Sequence, residues 1–107
     1  MPSRYCVIYI TSPTGIKARN IARRIVSQRW AACVNIVPLV QSLYWWKGKM
    51  ESAREALLII KTRTDLASKL IKGVRQIHPY TVPEIIVLPI LAGHRDYLDW
   101  IQKETRH

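Results

Sequence analysis

The sequence predicts an α+β fold in which an antiparallel sheet is covered on one face by helices, in the order β-α-β-β-α-β-α. Three observations carry that prediction. Stretches rich in β-branched and aromatic residues alternate with amphipathic segments of helical period. A turn signal, Lys47-Gly48-Lys49, joins two of the strand-like stretches directly. Right-handed crossovers in the two βαβ-type halves then return each later strand to the same sheet.

Residues 4 to 11 (RYCVIYIT) suit a buried strand. Ser12, Pro13, Thr14 and Gly15 make a turn, with Ser12 or Thr14 available to cap the next helix. From Ile16 to about Arg29, Ile21, Ala22, Ile25 and Val26 recur at helical spacing and the other side carries Arg and Lys. Ala56 to Thr62 reads as the strand returning from the Lys-Gly-Lys turn, and Thr64 as the cap of a second helix. In that helix Leu66, Leu70, Val74 and Ile77 share a face, and Gly73 costs about 1 kcal/mol relative to Ala. His78-Pro79 ends it, because proline disfavours helical geometry at the residue before it. Glu84 to Leu91 is dense in Ile, Val and Leu, as an internal strand would be. A last helix is expected from about Asp96 to Thr105.

The segment from residue 31 to residue 46, AACVNIVPLVQSLYWW, is the unusual one. Sixteen residues at about 3.3 Å each reach roughly 50 Å, whereas a domain of this length has a diameter of roughly 35 Å. A strand is therefore expected that bends at Pro38, which cannot donate to a ladder, and projects beyond its own domain. Its far half would expose Leu43, Tyr44, Trp45 and Trp46, a patch that monomers rarely carry. Self-association through those four residues follows.

All 107 residues fit one domain, 1-107, with one core. No apolar run approaches the roughly 20 residues of a membrane span, and the start, Met1-Pro2-Ser3-Arg4, lacks a secretory pattern. Cys6 and Cys33 lie in apolar segments without CxxC spacing and read as reduced thiols, so a cytoplasmic location is expected. The net charge of +10 is unevenly spread: residues 1 to 50 hold eight Lys or Arg and no Asp or Glu. That balance reads first as a solvated, arginine-rich surface, and it also predicts salt-sensitive retention on polyanions such as heparin. Nucleic acid is expected to bind only through such non-specific electrostatics, since the chain has no Phe and no stacking motif on its strands.

Several segments resemble those of the CutA-type divalent-cation-tolerance family, in the same order. Ala31-Ala32-Cys33-Val34-Asn35 is similar to the family's AACVN strand, and Ser42 to Lys49 to its SxYxWxGK hairpin. The strand ending at Thr62 closes in IIKT, residues 78 to 85 match HPYxVPEI, and Tyr97-Leu98-Asp99-Trp100 is similar to YLxW. The resemblance implies a ferredoxin-like βαββαβ(α) fold, a homotrimer without a defined reaction, and a role in tolerance to metal ions, copper above all. There are departures. Ser52-Ala53-Arg54 stands where relatives often have acids, and Ile10 and Ile77 stand where some bacterial relatives have a Cys and a second His.

The candidate site residues follow from the chemistry of their positions. His78 is a ligand or acid–base candidate, with helix C-capping as its structural role. Glu84 opens an apolar strand and Lys61 ends one, so a Lys61–Glu84 or Arg63–Glu84 pair would satisfy both. The functional reading gathers His78, Glu84, Tyr80 and Lys61 in a cleft between subunits. Cys33 suits Cu(I), or else a core position, and Asn35 reaches across the sheet or toward a partner. Glu51 and Glu55 offer further carboxylates, or else read as exposed acids that balance charge. With no HxH, HExxH or CxxC spacing, a high-affinity metal site cannot be derived from the residues. The alternatives are a trimeric regulator resembling PII proteins that binds a small anion, or a scaffold for a partner protein. No catalytic constellation emerges.

Overall fold

The computed structural model of the chain describes residues 3–106; Met1 and Pro2, part of the segment read as lacking a secretory pattern, lie outside the described residues, as does His107. In chain order the elements are β1 (Tyr5–Ser12), α1 (Ile16–Ser27), β2 (Cys33–Trp46), β3 (Lys49–Arg63), a short 3-10 turn (Thr64–Leu66), α2 (Ala67–Ile77), β4 (Ile85–Pro89) and α3 (Arg95–Glu104). The strands form one sheet in the order β2-β3-β1-β4, and every neighbouring pair is antiparallel.

Alternation along the two central strands sorts residues onto two faces. Cys6, Ile8 and Ile10 of β1 and Ala56, Leu58 and Ile60 of β3 are buried completely on one face. Ala18, Ile21, Ala22 and Ile25 from α1 meet them there, with Ala67, Leu70 and Val74 from α2. The 3.6-residue period of both helices and the 2-residue period of the strands thus converge on one core. Gly73 is explained by packing: a Cβ at that position would lie 2.2 Å from the ring of Trp30. The indole lies against α2 where any larger residue would stand. The C-terminal helix is not a crossover, and it meets β3 at the far end, where Arg63 Nε donates to Thr105 Oγ1 at 2.9 Å.

The long hairpin extends as its length requires. β2 and β3 pair continuously from Cys33↔Lys61 to Trp46↔Lys49, and the register shifts once, between Val37 and Val40. Pro38 sits in that irregularity, where its missing N–H removes no ladder bond. Lys47 and Gly48 both have positive φ (51° and 79°), as a two-residue hairpin turn needs. The molecule measures 44 × 28 × 22 Å, the long axis being the hairpin's contribution.

Four expectations are corrected. The third strand begins at Lys49 rather than Ala56, because the outer part of the hairpin is held by its partner strand and not by a core. β4 is an edge strand, with Ile86, Val87 and Leu88 partly exposed, so its apolar density does not mark an internal position. Neither Ser12 nor Thr14 caps α1, whose N-cap is Gly15 at φ 71°; Ser12 is buried at the end of β1 and its hydroxyl donates to the Pro13 carbonyl. Thr64 does not cap α2 either, its hydroxyl donating instead to the Ser3 carbonyl at 2.7 Å.

Candidate functional site

His78 ends α2 with extended backbone, and its ring reaches β1. Nε2 lies 2.7 Å from the Thr11 carbonyl of β1 and Nδ1 accepts the Tyr80 N–H at 3.1 Å. That pair of partners selects the neutral tautomer with its proton on Nε2. The side chain is buried and ties the end of α2 to the sheet, so it is neither a free ligand nor a cap on the helix carbonyls.

Tyr80 continues the same network. Its ring tilts against His78 at a centroid distance of 4.7 Å, and its hydroxyl donates to Glu55 at 2.9 Å. Burial, then the bond to Glu55 and the charge of that carboxylate, push the Tyr80 phenol up to about 12. Glu55 is only 7% exposed, contrary to its reading as a surface acid. The signal that could have found it is its position one residue before the apolar run of β3, where a carboxylate needs a partner.

Lys61 belongs to a different group. Its ammonium donates to the Asn35 side-chain carbonyl and lies 4.0 Å from Cys33 Sγ. Cys33 pairs directly with Lys61 in the β2–β3 ladder, and Asn35 stands two residues along on the same face, so the bond across the sheet is realised. This face is opposite the helix-covered core, and Cys33 is half-buried rather than a core residue. Tyr97 of α3 reaches the same spot: burial, then the proximity of Cys33, push its phenol upward.

Glu84 joins neither group. It is exposed, just ahead of β4, and β1 separates β4 from β3. The expected Lys61–Glu84 or Arg63–Glu84 pair is therefore corrected: Arg63 bonds Asp65 at 3.0 Å and Thr105, and Lys61 bonds Asn35. Nor does one cleft gather the four candidates within the chain; His78 and Tyr80 meet, Lys61 and Glu84 stand elsewhere.

The same geometry tests a metal ion. Cys33 starts β2 at one edge of the sheet and Glu84 precedes β4 at the other, with two strands between, a distance across the sheet of roughly 14 Å to which the register adds a further offset along the strands. His78 has both nitrogens engaged. His78, Glu84 and Cys33 thus do not fit one ion within a single chain, and no group of three or more His, Cys, Asp or Glu gathers among the described residues. Two surface depressions lie apart from all of these candidates, one along α2 and one between Arg4, Tyr5 and the segment before α3.

Leu43, Tyr44, Trp45 and Trp46 are exposed together along the hairpin, Trp45 to 74%. No helix of the described residues is long and apolar enough to cross a membrane.

Comparison with known proteins places these features in a family. The profile of the CutA1 divalent ion tolerance protein family matches residues 6–104. A relative from Thermus thermophilus, a divalent-cation tolerance protein CutA, is 50% identical over 99 residues, covering 92% of this chain and 96% of its own. The solved CutA1 structure from Oryza sativa superposes with a TM-score of 0.93 at 45% identity, over 98% of this chain and 96% of that one. The chain spans only 56% of the length of a chloroplastic CutA 1 protein of rice, to which it is 47% identical over 94% of its own residues.

Proposed function

This chain belongs to the CutA1 divalent ion tolerance family, and from that premise we propose that it acts as a non-enzymatic homotrimer that takes up divalent metal ions, copper among them, at clefts between subunits. The observation that carries this reading is the hairpin arm. Four large apolar side chains in a row are exposed on a two-stranded ribbon that nothing else in the chain covers. A ribbon of two strands is marginal in water by itself, and covering these residues with another copy supplies the missing burial.

The sheet supports the same arrangement. Both of its edges, β2 and β4, are open among the described residues. Setting one edge against the other edge of the next copy is a head-to-tail contact, which makes a ring when the rotation closes. In such a ring Cys33 of one copy approaches the Glu84 region of the next, and ligands that one chain keeps apart come together. His78 enters this reading as the support of the Tyr80 loop. The proposed location is the cytoplasm, supported by the two free cysteines; digitonin fractionation of cells followed by immunoblotting checks it.

A second reading rests on Lys61. An ammonium held by Asn35 on the sheet face opposite α1 and α2, in a chain of net charge +10, suits a small anion better than a cation. This is the ligand class of a PII-like regulator.

Equilibrium dialysis against copper, zinc and nucleotides, with mass measured by light scattering, separates the readings. The first expects a trimer with saturable uptake of one ion per chain, reduced by Cys33→Ser and Glu84→Gln and unchanged by Lys61→Met. Saturable nucleotide uptake abolished by Lys61→Met, without metal uptake, replaces it by the second. A monomer at micromolar concentration overturns both.

A further inference from the structure

We propose that the outer surface formed by α1 and α2 binds the phosphate backbone of double-stranded nucleic acid without regard to base sequence. The uneven charge of the chain becomes, in three dimensions, a segregated one. On α1 the exposed cations are Lys17, Arg19, Arg23 and Arg24; on α2 they are Lys69, Lys72 and Arg75. Neither helix contains a single Asp or Glu. The seven acids lie on β3, the 3-10 turn, the segment before β4, and α3.

The two helices lie side by side over the same sheet face, since their buried residues share one core. Their solvent faces therefore form one surface. Helices of 12 and 11 residues are each roughly 17 Å long, and packed axes lie about 9 Å apart, enough to follow about half a turn of duplex. The ion pairs of the described residues, Arg29–Glu104 and Arg63–Asp65, both lie off this surface. Its cations are left to solvent, and a polyphosphate would release condensed counterions on meeting them.

The chemistry of the surface selects among polyanions. A helix that docks on a membrane keeps its apolar face free for insertion, whereas α1 and α2 both spend theirs on the sheet. Protein interfaces are anchored by buried aromatics, and single strands are held by stacking on them. Neither helix has an aromatic residue. What remains is an array of guanidinium and ammonium groups with Asn20, Ser68 and Gln76 among them. Arginine forks match phosphate oxygens two at a time, and such contacts read charge and spacing but no base. The surface is also opposite the sheet face that carries Lys61 and Cys33, so the inference does not rest on the trimer or on metal uptake.

Fluorescence anisotropy with labelled duplexes of about two turns, in two unrelated sequences, tests it across a salt series. The expected result is equal affinity for both sequences and a linear fall of log K with log salt. The double charge reversal Arg23→Glu with Lys72→Glu is expected to weaken binding by about tenfold or more and to reduce the salt slope by about 2. The neutral pair Arg23→Gln with Lys72→Gln is expected to give a smaller change of the same sign, with the far-UV spectrum unchanged in each variant. The control reversal Lys49→Glu with Arg95→Glu, off the surface, leaves affinity within about twofold. Equal losses from the two reversals make the effect one of bulk charge and overturn the proposal. So does stronger binding to phosphatidylserine vesicles than to duplex, or a marked preference for one sequence.

Discussion

The two halves of the β2–β3 hairpin are built from the same kind of residue and meet opposite fates. Below the irregularity at Pro38, β3 runs Ala56-Leu57-Leu58-Ile59-Ile60, and its alternate residues are completely buried under α1 and α2. Above it, Leu43, Tyr44, Trp45 and Trp46 pair only with the opposing strand and stay exposed. The difference is one of reach. Each crossover helix extends roughly 17 Å, so the helical layer ends before the sheet does. A strand longer than its cover is complete only with a second chain.

The largest effect is expected on the buried side. Ile60→Ala removes a completely buried side chain from the centre of the core and is expected to lower stability by about 2–5 kcal/mol, at any protein concentration. Leu43→Ala on the arm is expected to cost less than about 0.5 kcal/mol in dilute protein. Its cost should grow as concentration rises and copies cover the arm. Urea denaturation at two concentrations measures both; a concentration-independent loss at Leu43 ends the contrast.

Gly73→Ala probes how tightly the covered half is built. Propensity alone predicts a gain of about 1 kcal/mol for replacing a mid-helix glycine. The Trp30 ring, which a Cβ at this position would overlap, reverses the sign, and a net loss of about 1–3 kcal/mol is expected. A rise in melting temperature would show that Trp30 yields freely.

A smaller loss than at Gly73 is expected at the junction between the halves, where Tyr80 meets Glu55. Tyr80→Phe leaves a nearly buried carboxylate without its donor and is expected to cost about 1–2 kcal/mol at neutral pH. The phenol is raised to about 12 in the folded chain, above its ordinary value near 10. Its contribution is therefore fully present below about pH 10 and fades as pH rises through about 12. The stability difference between the parent and Tyr80→Phe should shrink over that window, by denaturation at stepped pH. A constant difference would mean that the hydroxyl does not titrate in the folded state.

Much of the fold was legible because its signals are local. The alternation of Cys6, Ile8 and Ile10, the helical spacing of Ile21, Ala22 and Ile25, and Lys47-Gly48 at a turn each state their geometry within a few residues. The candidate site was less legible. Cys33 and Lys61 are 28 positions apart and meet only because the hairpin register sets them opposite one another. Tyr80 and Glu55 likewise meet through a tertiary contact, and nothing near Glu55 in the sequence names its partner.

Period, proline chemistry and charge are properties of a chain, so the order of elements, the overlong second strand with its break at Pro38, and a first half without acids could all be read along it. Packing set the rest: β4 is an edge, Glu84 stands apart from Lys61, His78 is held between Thr11 and Tyr80, and the basic residues of two helices form one surface. Those are relations between segments distant in sequence, and they exist only once the strand order and the packing of helices on the sheet have set which segments are neighbours.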